Sequence, residues 1–168
     1  MTQRTKRSDY PDHCRASVLV LGCGNLLLGD DGFGPTVIKR YLAERKPTRG
    51  LLLMDAHTSV KNVLFDILLS DIRPKSLIIV DAVDQDKAPG TVFELDINSI
   101  PEKNRDNFSL HQMAGSDLLK ELEAVGVRVR VLACQVKCIP VEVASGLSPE
   151  IEGAIAKACD VIDEWSKE

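Results

Sequence analysis

Apolar residues fall along this chain in short continuous runs that alternate with stretches repeating every three or four positions. Residues 17–22 form one such run, ending on a glycine, and read as a fully buried central strand. Gly34-Pro35 then opens a helix: proline suits the first helical position, and Val37, Ile38, Tyr41 and Leu42 recur on one face. A second strand is expected over residues 51–55. Ser59 stands as a cap for the next helix, in which Val60, Val63, Leu64, Ile67 and Leu68 follow the i, i+3, i+4, i+7, i+8 pattern. Residues 76–83 read as another buried strand, with Asp81 close to its end.

After the turn Ala88-Pro89-Gly90, residues 91–96 follow too closely for a helical crossover, so they read as an antiparallel edge strand. Residues 97–114 are polar and irregular and contain His111. Ser116 or Asp117 caps a helix with Leu118, Leu119, Leu122 and Val125, stopped by Gly126. Residues 127–136 form the last long strand. After a loop over 137–147, Ser148 as cap and Pro149 as first residue start a terminal helix that turns Ile151, Ile155, Cys159 and Ile162 inward.

Strands that alternate with helices predict an α/β fold of three layers, α/β/α. Its sheet should be mostly parallel and twisted, with about five strands, one antiparallel edge strand and helices on both faces. At 168 residues and 44% hydrophobic content the chain is expected to form a single domain over 17–168, behind a flexible leader at 1–16. In such folds sites gather beyond the carboxyl ends of the parallel strands. Asp31, Asp55, His57 and Asp81 all fall at such ends, potentially around one crevice.

The formal charge of -4 argues against a general nucleic-acid binder, and Arg4, Lys6, Arg7 and Arg15 lie in the expected leader. No run is long enough for a membrane span and no apolar signal segment opens the chain, so a cytoplasmic location is expected. Five cysteines, an odd number, are scattered along a chain that does not need staples, which suits a reducing compartment. Cys134 and Cys138 are spaced C-x3-C without a second Cys or His pair nearby, and read as ordinary buried residues at a strand end.

Residues 18–34 carry the strongest motif. The run enters a glycine turn as a dinucleotide fingerprint does, with Gly22 and Gly24 in place, but the third glycine slot of G-x-G-x-x-G is Leu27. The helix is delayed, and the loop delivers two acids, Asp30 and Asp31, which repel phosphate and attract cations. Asp31, Asp81 and His111 together make a plausible transition-metal site: imidazole disfavours magnesium and calcium, leaving nickel, zinc, manganese and ferrous iron. Taken singly, Asp31 would equally serve as a helix cap, and His111, His57 and His13 read as ordinary solvated side chains. Asp81 inside an apolar run is the harder one to explain structurally. No G-x-S-x-G elbow supports serine chemistry, and Cys23 reads as core.

The segment Gly22-Cys23-Gly24-Asn25-Leu26-Leu27-Leu28-Gly29-Asp30-Asp31-Gly32-Phe33-Gly34, with residues 77–83, Ala88-Pro89-Gly90-Thr91, Leu110-His111-Gln112 and Gly146-Leu147-Ser148-Pro149, resembles the hydrogenase maturation endopeptidases over roughly residues 17–165. The Asp-Asp-Gly-Phe-Gly form and the leader resemble the branch serving archaeal deazaflavin-cofactor-reducing hydrogenases. The resemblance implies a peptidase that removes a C-terminal extension from the large-subunit precursor of a nickel-iron hydrogenase after nickel loading. It implies further that Asp31, Asp81 and His111 contact that nickel, which the precursor supplies, so that the resting enzyme can be metal-free. Asp31 is a shorter version of an acid that is often Glu in relatives. Asp55-Ala56-His57-Thr58 departs from the glycines that many relatives carry after the acid, which leaves the roles of Asp55 and His57 open. A nucleotide-binding regulatory module and a non-catalytic nickel chaperone are the alternative readings.

Overall fold

The computed structural model describes residues 7–99 and 116–168. Strands β1 (Val18–Cys23), β2 (Leu51–His57), β3 (Ser76–Val83), β4 (Val92–Leu95) and β5 (Arg128–Gln135) form one sheet in the order β2-β1-β3-β5-β4. All neighbours are parallel except β4 and β5, which run antiparallel at the edge. β3 lies in the interior of the sheet and is buried at every position, which is why its sequence is a continuous apolar run and not an alternating one.

Helices cover both faces. α2 (Phe33–Glu44) and α6 (Ile155–Trp165) pack on one side, where Phe33, Val37, Tyr41, Ile155 and Ile162 meet Val20, Ile78, Val80 and Leu132. α3 (Val60–Leu69) and α4 (Ser116–Ala124) cover the other, where Val60, Leu64, Ile67, Leu119 and Leu122 meet Leu19, Leu21, Leu77, Ile79 and Val131. Successive residues of β1 and β3 therefore feed opposite cores, as the two-residue period of a strand requires.

Local chemistry modifies several expected boundaries. The stretch read as a flexible leader is not free over its second half: α1 (Asp12–Arg15) packs against α3, Cys14 is buried in the core, and the Tyr10 hydroxyl donates to Asp71 at 2.9 Å. Ser59 and Ser148 occupy N-cap positions, yet neither side chain makes a capping hydrogen bond. The Ser148 hydroxyl instead donates to the Asp30 carboxylate at 3.1 Å, a charged and stronger acceptor. The expected single terminal helix is two: α5 (Pro149–Glu152) and α6, separated by Gly153 and Ala154. Ile151, Ile155, Cys159 and Ile162 nevertheless all turn inward.

The first turn of α2 approaches the sheet unusually closely. A Cβ on Gly34 would lie 2.3 Å from the Cys23 carbonyl oxygen and 2.4 Å from that of Val80; one on Gly22 would meet the Gly34 carbonyl oxygen at 2.6 Å. Gly34 thus does the work that the third glycine does in a dinucleotide fingerprint, letting helix and strand backbones touch. It does so after a longer loop, over residues 25–31. Because the obstructing atoms are backbone, Gly34→Ala has no cheap relaxation; it should cost about 3 kcal/mol or more. Thermal denaturation should report this as a midpoint lowered by roughly 6–12 °C.

Candidate active site

The strand order reverses direction at β1, and pairing of β1 with β3 ends at Gly22 opposite Val80. Beyond that pair the β1 backbone kinks, so that Cys23 sits opposite His57 of β2. The next residue of β3 is Asp81. The two central strands therefore part where an open α/β sheet forms its ligand crevice, and the β1 loop returns over the gap.

That loop is shaped by its own backbone groups. Gly24, at φ 132°, takes a conformation closed to other residues, and its amide donates to the His57 carbonyl at 3.1 Å. A one-turn 3₁₀ helix, Gly29–Gly32, then carries both acids into the interior against β3. Asp31 is fully buried, and one of its carboxylate oxygens accepts the Asn25 amide at 2.8 Å. It does not cap α2; Gly32 holds the N-cap position, with no side-chain cap.

Asp81 is likewise buried, and its Oδ1 accepts the amide of Ala82 at 2.8 Å. Burial pushes its carboxyl well above the ordinary aspartate range, and the nearby Asp31 carboxylate pushes it further. Asp31 and Asp81 thus stand as two buried acids near one another where the central strands part. Cys23 lies between acids as well: burial first, then Asp81 and Asp55, hold its thiol protonated. It is core and not a nucleophile. Among the described residues no group of three or more His, Cys, Asp or Glu side chains is arranged to hold a metal ion. His111 lies outside the described residues, so only two members of the expected trio are seen, and those two are adjacent.

Asp55 and His57 stand beside this crevice at the end of β2. The Asp55 carboxylate accepts the His57 amide at 2.9 Å and lies 3.2 Å from its Nε2, while the imidazole remains largely exposed. His57 has φ 46°, a left-handed conformation uncommon for a residue with a side chain.

Two residues shape the site in ways the sequence did not show: Asp30, noted there only as one of two acids in the loop, and Gln135. Asp30 clamps the loop after β5: its carboxylate accepts the amides of Lys137 at 3.0 Å, Cys138 at 3.3 Å and Ser148 at 2.7 Å, besides the Ser148 hydroxyl. Gln135, buried at the end of β5, pins the loop after β3. Its Oε1 accepts the amides of Gln85 and Lys87, and its Nε2 donates to Asp84 at 2.9 Å and to the Val136 carbonyl at 3.0 Å. A polar residue closing the apolar run Val131-Leu132-Ala133-Cys134 was the available signal for Gln135. All five cysteines are unpaired; of the C-x3-C pair, Cys134 is buried as expected and Cys138 is exposed.

A mostly parallel α/β sheet with a glycine-tight helix start carries two buried acids, Asp31 and Asp81, at the point where its central strands diverge. The hydrogenase maturation protease family model matches residues 35–165. The chain is 36% identical over 151 residues to the coenzyme F420 hydrogenase subunit delta of Methanothermobacter thermautotrophicus, covering 88% of this chain and 92% of that protein. It is 30% identical over 148 residues to the hydrogenase 2 maturation protease of Escherichia coli, covering 86% and 87%. The crystal structure of the hydrogenase 3 maturation protease superposes with a TM-score of 0.72 at 24% identity, over 88% of this chain and 89% of that one, and shares its fold. The chain belongs to the hydrogenase maturation protease family, and it is a peptidase of that kind.

Asp30 and Asp81 should separate cleanly by mutation. Asp30→Ala leaves three backbone donors and a hydroxyl without their acceptor and should cost about 3 kcal/mol, read as a lower melting midpoint. Asp81→Asn should act oppositely. A carboxyl whose pKa is raised on folding favours the native state below its unfolded pKa, and that contribution is lost as pH rises toward the folded pKa. The variant's melting midpoint should therefore match the wild type near pH 4 and exceed it increasingly toward neutral pH, by on the order of a few degrees. Scanning calorimetry across that range checks both sign and window.

Proposed function

We propose that this peptidase removes a C-terminal extension from the large-subunit precursor of a nickel-iron hydrogenase, and that Asp31 and Asp81, with His111, engage the nickel already loaded in that substrate. The observation that carries the reading is the burial of the Asp81 carboxyl beside Asp31 at the point where β1 and β3 part. Burying one acid is costly and burying a second next to it more so. A cation delivered into the crevice offsets both penalties. The metal is part of the substrate, so the pair acts as a gate: an unloaded precursor brings no charge to relieve it.

On this reading the protein's own groups do three things. Asp31, fixed by the Asn25 amide, and Asp81, fixed by that of Ala82, position the loaded end of the precursor and hence the scissile bond. Nickel ligation requires the Asp81 carboxylate, and a cation beside it favours that charged form against the burial that disfavours it. Hydrolysis then adds water across the peptide bond, with hydroxyl on the carbonyl carbon and a proton on the departing nitrogen. The carboxylates or the polarising metal assist the water. The identity to the F420 hydrogenase delta subunit supports service in the deazaflavin-cofactor branch. Five unpaired cysteines fit a reducing, cytoplasmic setting. No helix among the described residues is long and apolar enough to cross a membrane.

Incubation with nickel-loaded and nickel-free large-subunit precursor, followed by intact mass measurement, tests the proposal. A C-terminal peptide should be lost from the loaded precursor alone, and Asp81→Asn should abolish that loss while remaining folded. Equal cleavage of both precursors would remove the gate; a fully active Asp81→Asn enzyme would falsify the site assignment.

A further inference from the structure

Eight large hydrophobic side chains among the described residues are exposed, and four of them, Leu26, Leu27, Val141 and Val143, lie on just two loops. Leu26 and Leu27 are 45% and 56% exposed; Val143 is 74% exposed and Val141 wholly so. Exposed apolar residues scattered singly need no explanation, whereas a concentration of them marks a contact surface.

The two loops are one unit. The Gly29 amide donates to the Ala144 carbonyl at 2.7 Å, and the Ala144 amide donates to the Leu27 carbonyl at 2.9 Å. Pro140 packs close to Gly29, within 3.1 Å of where a Cβ would stand. Residues 141–143 are thus held at both ends and project between their anchors. Asp30 adds its clamp on Lys137, Cys138 and Ser148. The same short segment that presents Leu26 and Leu27 also supplies the Asn25 amide that fixes Asp31. The loops that carry these apolar residues are therefore tied, through Asn25, to one of the crevice's acids.

We infer that Leu26, Leu27, Val141 and Val143 form the docking surface for the body of the hydrogenase precursor, taking an apolar segment of that protein beside its cleavable tail. This rests on the proposed function. A peptidase must bring a protein substrate against the rim of its crevice, and this rim is where the apolar residues gather. The acids inside supply little grip on an uncharged chain, so the rim provides affinity and the crevice provides discrimination. Leu69, 81% exposed on α3, serves as the comparison, because it lies outside these loops.

Val141→Ser with Val143→Ser, and separately Leu27→Ser, should leave the melting midpoint within about 1 °C, since exposed side chains add little to stability. Each variant should raise KM for the nickel-loaded precursor by about tenfold or more with kcat nearly unchanged, the pattern of lost uniform binding. Leu69→Ser should leave KM unchanged. An unaltered KM in the rim variants, or an equal rise in Leu69→Ser, would overturn the inference, as would loss of self-association of the free enzyme with KM unchanged, which would make the rim a contact between copies. Failure of the wild-type enzyme to cleave loaded precursor would instead strike the proposed function itself.

Discussion

The start of α2 touches the sheet with nothing but hydrogen between Gly34 and the carbonyls of Cys23 and Val80. That contact decides where the loop between β1 and α2 can go. With the helix seated so low, residues 25–31 cannot fill the space between helix and strands. They fold outward and back, lowering the 3₁₀ turn onto β3. Both carboxylates enter the interior through this one packing constraint. A side chain at Gly34 would lift the helix, and the crevice floor with it.

The two acids, adjacent in sequence, meet opposite electrostatic surroundings. Asp30 faces a ring of amide donors, a cradle that stabilises a carboxylate as a helix N-terminus does. Asp31 faces Asp81, where charge repels charge. The first carboxylate ties two loops together, while the second is held by the Asn25 amide beside β3. The two neighbours in sequence thus serve different parts of the loop, one held by the loop after β5 and one set beside β3.

Periodicity made most of the fold legible. The five strands and the helix faces follow from runs of apolar residues whose burial needs no knowledge of distant partners, and β3 occupies the expected residues 76–83. What escaped were the places where a distant group outbids a local one. Ser148 reads as a helix cap, but its hydroxyl turns to Asp30, 118 positions away in sequence. Cys14 looked like part of a free leader until α3 offered it a core. At the site, Asp81 was legible because a charge in an apolar run is anomalous wherever the run goes. Asp30 was noted as an acid of the loop, but its clamping role and that of Gln135 were not legible, since both consist of bonds to loops that sequence alone cannot bring together.

The consecutive placement of Asp30 and Asp31 on a 3₁₀ turn has a consequence for how this loop can change. With three residues per turn, neighbouring side chains leave the axis about 120° apart, so a single turn addresses two separate surroundings. Deleting or inserting one residue within the 3₁₀ turn would rotate the pair by one step, so that at most one acid would face a surrounding it now occupies and the other would point in a third direction. Away from Gly24 and Gly29, whose backbones are at positive φ, exposed positions such as Leu26 and Leu27 can change side chain without moving the turn, whereas a change in length moves it. The residue count of the loop therefore constrains the turn more tightly than its exposed side chains do.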